Sequence, residues 1–551
     1  MIFESGKNKR NIVFDYLAII VIYYAAYFFF LVNNGLFWDD WVWTGNIIRG
    51  YIEISRKLYA LRYPGLLLAF IYLSPPILIR VLISICYLLP GFILYSISQK
   101  EGIARIDRIF IVLIFLLIPI NLAKYTLAIA AYSFYCLLFY IASYLYINNY
   151  NKMGIVVRLV SLILYFLSFT LNSLLAFFAV PFLYVFSKFI RNREAEGVKG
   201  IVKGFGLFLK KNFDFAIVPF IFFGIKQIHM LTDKVYKTGI YANIGYNRLH
   251  FMDFAMAPVK YFVWLKDALT DSIRRAGYIL ESNLGVSLLI IAVIVYLVFF
   301  TDKTREEKNS KAIVRNIIVS LIIFAFAVFP YIAVGVQYSG GTFGSRNNIL
   351  LPVSLSFLIY YLFNMIAIKL RISRNMINLF KISLLLSYLL FNISQGKSFY
   401  FDNIKQQAII ANITENNDIK TNSVFLVKDN AMRLNANREY NFYDFSGLFY
   451  KAFGDEKRIA VYVGPNALNE IKDAYENKNA LPYKIKQLNS TIPTYIISIN
   501  EKKVQTGYGS CITLIYDYVF NRSHYNKIIK NFISISTSKI INDSGVDKYF
   551  K

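Results

Sequence analysis

The chain has few of the residues that build disulfide frameworks and metal centres. Its 551 residues include 3 cysteines and 3 histidines. Cys86 and Cys136 lie in apolar stretches and Cys511 stands alone beyond them, so no disulfide framework is expected. The three histidines show no metal-ligand spacing. The composition therefore argues against a disulfide-rich protein and against a zinc-centred one.

Common catalytic motifs are absent as well. The sequence has no Walker lysine motif, which argues against ATP hydrolysis. It has neither a serine nucleophile elbow nor a His-Glu-x-x-His zinc signature. The apolar segments are nearly free of charge and the two halves of the chain look unlike, whereas a secondary transporter typically has internal repeats and charges at mid-membrane. Transport is therefore the weaker hypothesis.

What the sequence has in abundance is apolar and aromatic residues. It is 57% hydrophobic, with 49 Phe and 43 Tyr, and apolar segments recur up to about residue 393. This pattern predicts a polytopic helical membrane protein. The net charge of +27 does not indicate nucleic acid, because 24 of the 60 Lys and Arg fall in the N-terminus and in short loops that lie on one side of such a topology. That distribution follows the positive-inside rule and places those loops in the cytoplasm.

The charge distribution predicts eleven transmembrane helices, with the N-terminus inside and the C-terminus outside. They lie near 12–32, 76–97, 109–122, 125–147, 159–171, 174–187, 213–230, 284–300, 316–336, 349–367 and 382–393. The long uncharged run 159–187 is expected to turn at Asn172-Ser173, and the run 109–147 between Pro119 and Lys124. The predicted external segments of this 1–393 unit are 33–75, 231–283 and 337–348.

The composition changes at about residue 394, and 394–551 is expected to form an extracytoplasmic α/β domain. Its short apolar runs predict strands, and Pro465 suits the start of a helix. The predicted strands are Ser423–Val427, Ile459–Val463, Tyr495–Ile499 and Ile512–Tyr516, and the predicted helix is 466–478.

Two adjacent carboxylates form the most informative pattern. Asp39 and Asp40 follow the uncharged stretch from Tyr16 to Trp38 and are flanked by tryptophans. Tryptophan favours the membrane–water boundary, so both carboxylates are expected near the headgroups. Paired, partly desolvated carboxylates have at least one raised pKa, which suits a general base. The alternative is that the pair is solvated or caps the helix that follows.

Basic residues near the same boundary are candidates for binding phosphate. Arg346 follows a glycine-rich turn and precedes an apolar run, and its planar fork of donors suits a phosphate. Arg62 and Lys124 are weaker candidates for the same role, because interfacial Arg and Lys often only anchor the chain. Candidates for contact with the acceptor, or for an accessory role, are His250, Arg248 and Glu53.

These motifs give the chain a resemblance to a known class. Trp38-Asp39-Asp40-Trp41 after the first span, Arg62-Tyr63-Pro64 before the second, and Gly344-Ser345-Arg346 before a late span resemble the GT-C class of integral-membrane glycosyltransferases. The sequence looks most similar to bacterial enzymes that glucosylate O-antigen or related surface glycans.

The resemblance implies both a reaction and a place in the cell. In that class the first external loop supplies the catalytic Asp, which would be Asp39 or Asp40, and Arg346 would match the phosphate-binding role. The donor would be a polyprenyl-phosphate-linked sugar, and the acceptor an extracytoplasmic glycan, lipid or protein. The location would be the bacterial inner membrane. No cofactor is implied and no metal cluster is evident, with one divalent cation as an open alternative. A polysaccharide polymerase or ligase and a lipid-linked sugar flippase remain rival functions.

Overall fold

The computed structural model of the chain describes residues 6–43, 73–191, 197–232, 310–333, 343–436, 438–476, 490–502 and 506–540, with Leu488 and short stretches between 256 and 277. Four predicted site residues lie outside the described residues, namely Glu53, Arg62, Arg248 and His250. The predicted span 284–300 lies outside them too.

The first three quarters of the described chain are helical. In chain order the helices are α1 (Gly6–Ala26), α2 (Phe28–Leu31), α3 (Asp40–Trp43), α4 (Pro76–Lys100), α5 (Arg105–Leu117), α6 (Ala130–Asn149), α7 (Ile155–Ser168), α8 (Ser173–Phe177), α9 (Ala179–Arg191), α10 (Gly197–Lys211), α11 (Phe213–Thr232), α12 (Ser310–Ile332), α13 (Leu351–Lys369) and α14 (Arg374–Ile413). Two 3-10 turns, Leu122–Tyr125 and Phe343–Asn348, precede α6 and α13.

Helix α5 lies at the centre of this bundle. Every residue from Ile109 to Leu117 is buried, and the helix packs against α1, α4, α13 and α14. A helix that is apolar on all sides is stable only when it is surrounded by other apolar elements. Its first residue, Arg105, is fixed by a buried ion pair with Asp15 of α1.

Six helical segments of the described chain are long and apolar enough to cross a membrane. They are Pro76–Lys100, Ala130–Asn149, Ser173–Arg191 (α8 and α9 together), Ser310–Ile332, Leu351–Lys369 and Arg374–Ile413. Two shorter apolar helices, Ile12–Ala26 and Ile155–Ser168, accompany them. The breaks at 169–172 and 118–121 fall where turns were predicted. The described chain is thus compatible with a helical membrane protein, and the total of eleven spans stays a prediction.

The longest helix joins the bundle to the C-terminal part of the chain. Helix α14 has 40 residues and so extends about 60 Å. The predicted boundary at 393/394 falls inside it. The change of composition at that point is real, because buried polar side chains such as Asp402, Lys405 and Gln406 occupy its second half. The helix continues through the change, because its polar second half is covered by the C-terminal elements.

The C-terminal part contains a four-stranded sheet with helices around it. Its elements are α15 (Asn417–Thr421), β1 (Val424–Asp429), the 3-10 turn Met432–Leu434, α16 (Phe442–Phe453), β2 (Ile459–Tyr462), α17 (Ala467–Glu476), β3 (Tyr495–Glu501), α18 (Tyr508–Phe520), α19 (Arg522–Lys530) and β4 (Ile533–Lys539). The strand order is β2-β1-β3-β4. Strand β1 is parallel to β2 and β3, and β4 is antiparallel to β3.

The predicted strands and helix of this part are largely confirmed, with one error. Strands β1, β2 and β3 and helix α17 lie where they were expected. The predicted strand Ile512–Tyr516 is wrong, because it lies inside helix α18. The buried residues of that helix, Cys511, Leu514 and Asp517, recur every three positions, as on one face of a helix. Strand β4 was not predicted.

Candidate functional site

The two aspartates lie in a buried loop at one end of the bundle. We call residues 33–43 the acidic loop; it runs from the end of α2 through α3. Trp38 has a φ of 50°, a left-handed conformation that is uncommon for a bulky residue. This bend directs Asp39 and Asp40 to different surroundings, so the two carboxylates are not equivalent.

Asp40 has a structural environment. It is fully buried, and its Oδ2 accepts a hydrogen bond from the Phe37 N–H at 3.0 Å. Its Oδ1 accepts one from the Ala128 N–H at 2.8 Å. Burial raises the pKa of Asp40 to about 6, although these backbone donors and Arg80 oppose the shift. Both oxygens are therefore engaged in holding the acidic loop against the start of α6.

Asp39 has a different environment. It is partly exposed, and no described group donates a hydrogen bond to its carboxylate. Burial raises its pKa above the usual range, and the nearby Arg346 guanidinium opposes that shift. A carboxylate with a raised pKa and uncommitted oxygens can accept a proton from a substrate. Of the two aspartates, Asp39 has the chemistry of a base.

The segment that carries Arg346 is docked beside this loop. We call Phe343–Asn348 the arginine turn and Leu122–Tyr125 the lysine turn. The Ala123 N–H donates to Ser345 Oγ at 2.8 Å, and Asn348 Nδ2 donates to the Ile120 carbonyl at 2.9 Å. These bonds pin the two turns together. They place Arg346, a partly exposed cation, at the same end of the bundle as Asp39.

The position of Arg346 is further limited by its own turn. Its Nη1 donates to the Phe343 carbonyl at 3.3 Å. Its guanidinium lies 4.2 Å from the centroid of the Phe343 ring, a favourable cation–π arrangement. Arg346 is thus oriented by its turn while it remains close to Asp39.

Lys124 is buried behind the lysine turn. Its Nζ donates to Asn392 Oδ1 at 3.0 Å and to the Tyr27 hydroxyl. Both partners are neutral. The ammonium also lies 4.2 Å from the centroid of the Tyr27 ring. Its side chain is therefore directed into the bundle between α14 and the junction of α1 and α2, where burial lowers its pKa to about 7, and its phosphate-binding role stays a prediction.

Arg80 was missed by the sequence reasoning, and it connects the parts of this site. Its side chain is fully buried. Nη1 donates to the Tyr125 carbonyl at 2.8 Å, and Nη2 donates to the Gly35 carbonyl at 2.7 Å. One guanidinium thereby joins the lysine turn to the acidic loop. The available signal was a single charge inside an otherwise uncharged membrane-length segment.

The C-terminal part of the chain holds the acidic loop from the other side. Gln406 of α14 binds both backbone groups of Leu36, accepting from its N–H at 3.2 Å and donating to its carbonyl at 2.8 Å. Trp41 is 3% exposed and packs directly on Gly447 of α16. The Arg438 guanidinium lies 5.5 Å from the centroid of the Trp38 ring.

Arg438 belongs to a buried ionic network. Its Nε donates to Asp402 at 2.7 Å and its Nη1 to Asp444 at 3.0 Å. The Tyr440 hydroxyl donates to the other oxygen of Asp402 at 2.6 Å. Burial raises the pKa of Asp444 to about 6, with Arg438 opposing the shift. A second buried pair, Lys405–Asp429, lies in the same region. The acidic loop is therefore supported by fixed, charged side chains.

The site stands on its own geometry. Comparison of the chain with models of known protein families, with curated proteins and with solved structures finds no match. Among the described residues, no three His, Cys, Asp or Glu side chains come together as a candidate metal centre. The described site consists of a carboxylate of raised pKa, an oriented arginine beside it and a buried lysine behind it.

Proposed function

We propose that this chain is a membrane glycosyltransferase of the GT-C kind. It would move a sugar from a polyprenyl-phosphate donor to an extracytoplasmic glycan, lipid or protein. The observation that carries the proposal is that Asp39 and Arg346, distant in sequence, lie near enough to interact electrostatically at one end of a helical bundle that contains helices of membrane length. The location that follows is the bacterial inner membrane, with the acidic loop and the C-terminal α/β part on the outer side.

Asp39 is the general base in this proposal. Its carboxylate takes the proton of an acceptor hydroxyl as that oxygen attacks the anomeric carbon of the sugar. Asp40 keeps the loop in place, because both of its oxygens already accept backbone hydrogen bonds. The sequence does not distinguish the two aspartates, whereas in this proposal Asp39 is the base and Asp40 is structural.

Arg346 stabilises the leaving group. As the new bond between the acceptor oxygen and the anomeric carbon forms, the bond between that carbon and the phosphate oxygen breaks. The electron pair leaves with polyprenyl phosphate, whose growing negative charge a guanidinium can bind through two parallel donors. A single displacement of this kind inverts the anomeric centre. Lys124 lies buried behind the site, with its Nζ hydrogen-bonded to neutral partners.

Release of polyprenyl phosphate from a panel of radiolabelled polyprenyl-phosphate sugars tests the proposal. Membranes with the wild-type chain should release it from at least one donor and transfer a single sugar to the acceptor. Transfer of a whole lipid-linked glycan would instead support a polymerase or ligase. Movement of the intact donor across the bilayer without release would support a flippase. Either of these results would overturn the proposal.

A further inference from the structure

A pocket lies at the opposite end of the bundle from the acidic loop. Helix α4 connects the two places, because Arg80 binds the acidic loop near its start and Lys100 is its last residue. At about 1.5 Å per residue the distance between them along the helix is about 30 Å. That is also about the thickness of the hydrocarbon core of a bilayer. The pocket is therefore at headgroup level on the other side.

The pocket has a basic lining. A cavity of about 410 Å³ lies between the ends of α4, α6 and α9. The polar side chains that line it are Lys100, Glu101, Asn148, Tyr150, Lys188 and Arg191. Three of these are cations and one is a carboxylate. Cations do favour the C-terminal ends of helices, but here they surround one space large enough for a phosphate group.

The charges in the pocket do not cancel. Lys188 pairs with Glu101 at 2.7 Å, which offsets one cation. Lys100 donates to Asn148 Oδ1, a neutral acceptor, at 2.6 Å. Arg191 is exposed at the end of α9. The excess positive charge and the arginine's fork of donors match a phosphate ester.

The neighbouring helix indicates what carries that phosphate. Helix α10 packs on α9 and presents exposed apolar residues together with lysines. Val202 is 65% exposed and Ile201 45%, while Lys203 and Lys210 are exposed on the same helix. Such a helix typically lies in the headgroup region of a membrane and binds anionic lipids. A ligand at this depth is more readily a lipid than a soluble ion.

We propose that this pocket binds the phosphate of an anionic phospholipid headgroup, in the leaflet opposite the acidic loop. This proposal does not depend on the proposed glycosyltransferase activity. Arg191 and Lys100 contact the phosphate oxygens, and Asn148 and Tyr150 supply hydrogen bonds to the remainder of the headgroup.

Thermal unfolding of the purified full-length chain in detergent tests the site. Added phosphatidylglycerol should raise the midpoint, whereas phosphatidylcholine should not. In the Lys100→Gln/Arg191→Gln variant the concentration of phosphatidylglycerol needed for half of this effect should rise about tenfold or more, as expected for the loss of two charged phosphate contacts. The matched control Lys369→Gln/Arg371→Gln removes two exposed positive charges outside the pocket and outside α10, and it should respond like the wild type.

Further measurements distinguish a lipid from a soluble phosphate ester and control for misfolding of the variant. If glycerol phosphate stabilises the chain as well as phosphatidylglycerol does, the lipid assignment is wrong and the pocket binds soluble phosphate esters. An equal loss in pocket and control variants would reduce the effect to general surface charge and overturn the site. Should the Gln variant fail to fold, Lys100→Arg/Arg191→Lys keeps both charges. That variant should co-purify with phosphatidylglycerol as the wild type does, and its loss of the lipid would also contradict the proposal.

Discussion

Replacing Gly447 by Ala tests whether the C-terminal part of the chain positions the acidic loop. A Cβ at residue 447 would lie 2.2 Å from Cε3 of Trp41 and 2.8 Å from its Cδ2, whereas ordinary contact begins near 3.4 Å. The indole ring or helix α16 must therefore move by about 1.2 Å, the difference between 3.4 and 2.2 Å. Because Trp41 follows Asp40 directly, its movement also displaces the two carboxylates.

The expected effects differ for stability and for turnover. Alanine favours a helix over glycine by about 1 kcal/mol, and overpacking a dense contact costs about 1–3 kcal/mol. The free energy of unfolding should therefore fall by up to about 2 kcal/mol. Turnover should fall more steeply, by about 100-fold, because a displacement of about 1 Å in a catalytic group has an effect of that order.

Thermal unfolding and polyprenyl phosphate release measure the two effects on the same preparations. Gly509→Ala is the matched control, since a Cβ on that helical glycine of α18 meets nothing within 4 Å. Combining Gly447→Ala with Trp41→Leu should give a less than additive loss of stability, because the clash is removed. A Gly447→Ala protein with wild-type midpoint and wild-type turnover would refute the idea that α16 positions the acidic loop.

Three further predictions follow from the charged residues around the loop. Arg346→Gln should move the acidic limb of the pH–rate profile to higher pH, because Arg346 lowers the pKa of Asp39, while Arg346→Lys should keep the limb in place. Burial raises the pKa of Asp40 from 3.8 to about 6. The free energy of unfolding should therefore decrease by about 3 kcal/mol as pH rises from about 4 through about 6. In a pH series of unfolding curves, Asp40→Asn should flatten this decrease. Lys405→Met leaves Asp429 buried without its cation and should cost about 3–5 kcal/mol in the same assay, and an unchanged midpoint would contradict that account.

The local features of the site could be predicted from sequence, and their assembly could not. Asp39, Asp40 and Arg346 each stood out because charge at the end of an apolar run is informative. Their proximity depends on contacts such as Ala123 with Ser345, which join turns far apart in the chain. The absence of a side chain at Gly447 leaves room for the Trp41 ring, and neither segment has a local sequence pattern that predicts this contact. A single sequence does not reveal packing contacts of this kind between segments that are far apart in the chain.

The errors have equally specific causes. The short apolar run Ile512–Tyr516 fits a strand or a helix, and only burial at a spacing of three distinguishes them. Strand β4, which was not predicted, carries the alternating sequence Ile-Ser-Ile-Ser, and this period of two is typical of a strand. Arg80 is the single charge in an otherwise apolar segment, and a charge in that setting indicates a functional or structural role.

The central claim is that Asp39 acts as the base while Asp40 holds the loop. The most direct measurement compares polyprenyl phosphate release by Asp39→Asn and Asp40→Asn, each normalised to folded protein. We predict that Asp39→Asn abolishes release. Asp40→Asn should retain measurable release, because its amide oxygen still accepts one of the two backbone hydrogen bonds, although its NH2 group loses the other. Full release by Asp39→Asn, or its loss only in Asp40→Asn, would contradict the account.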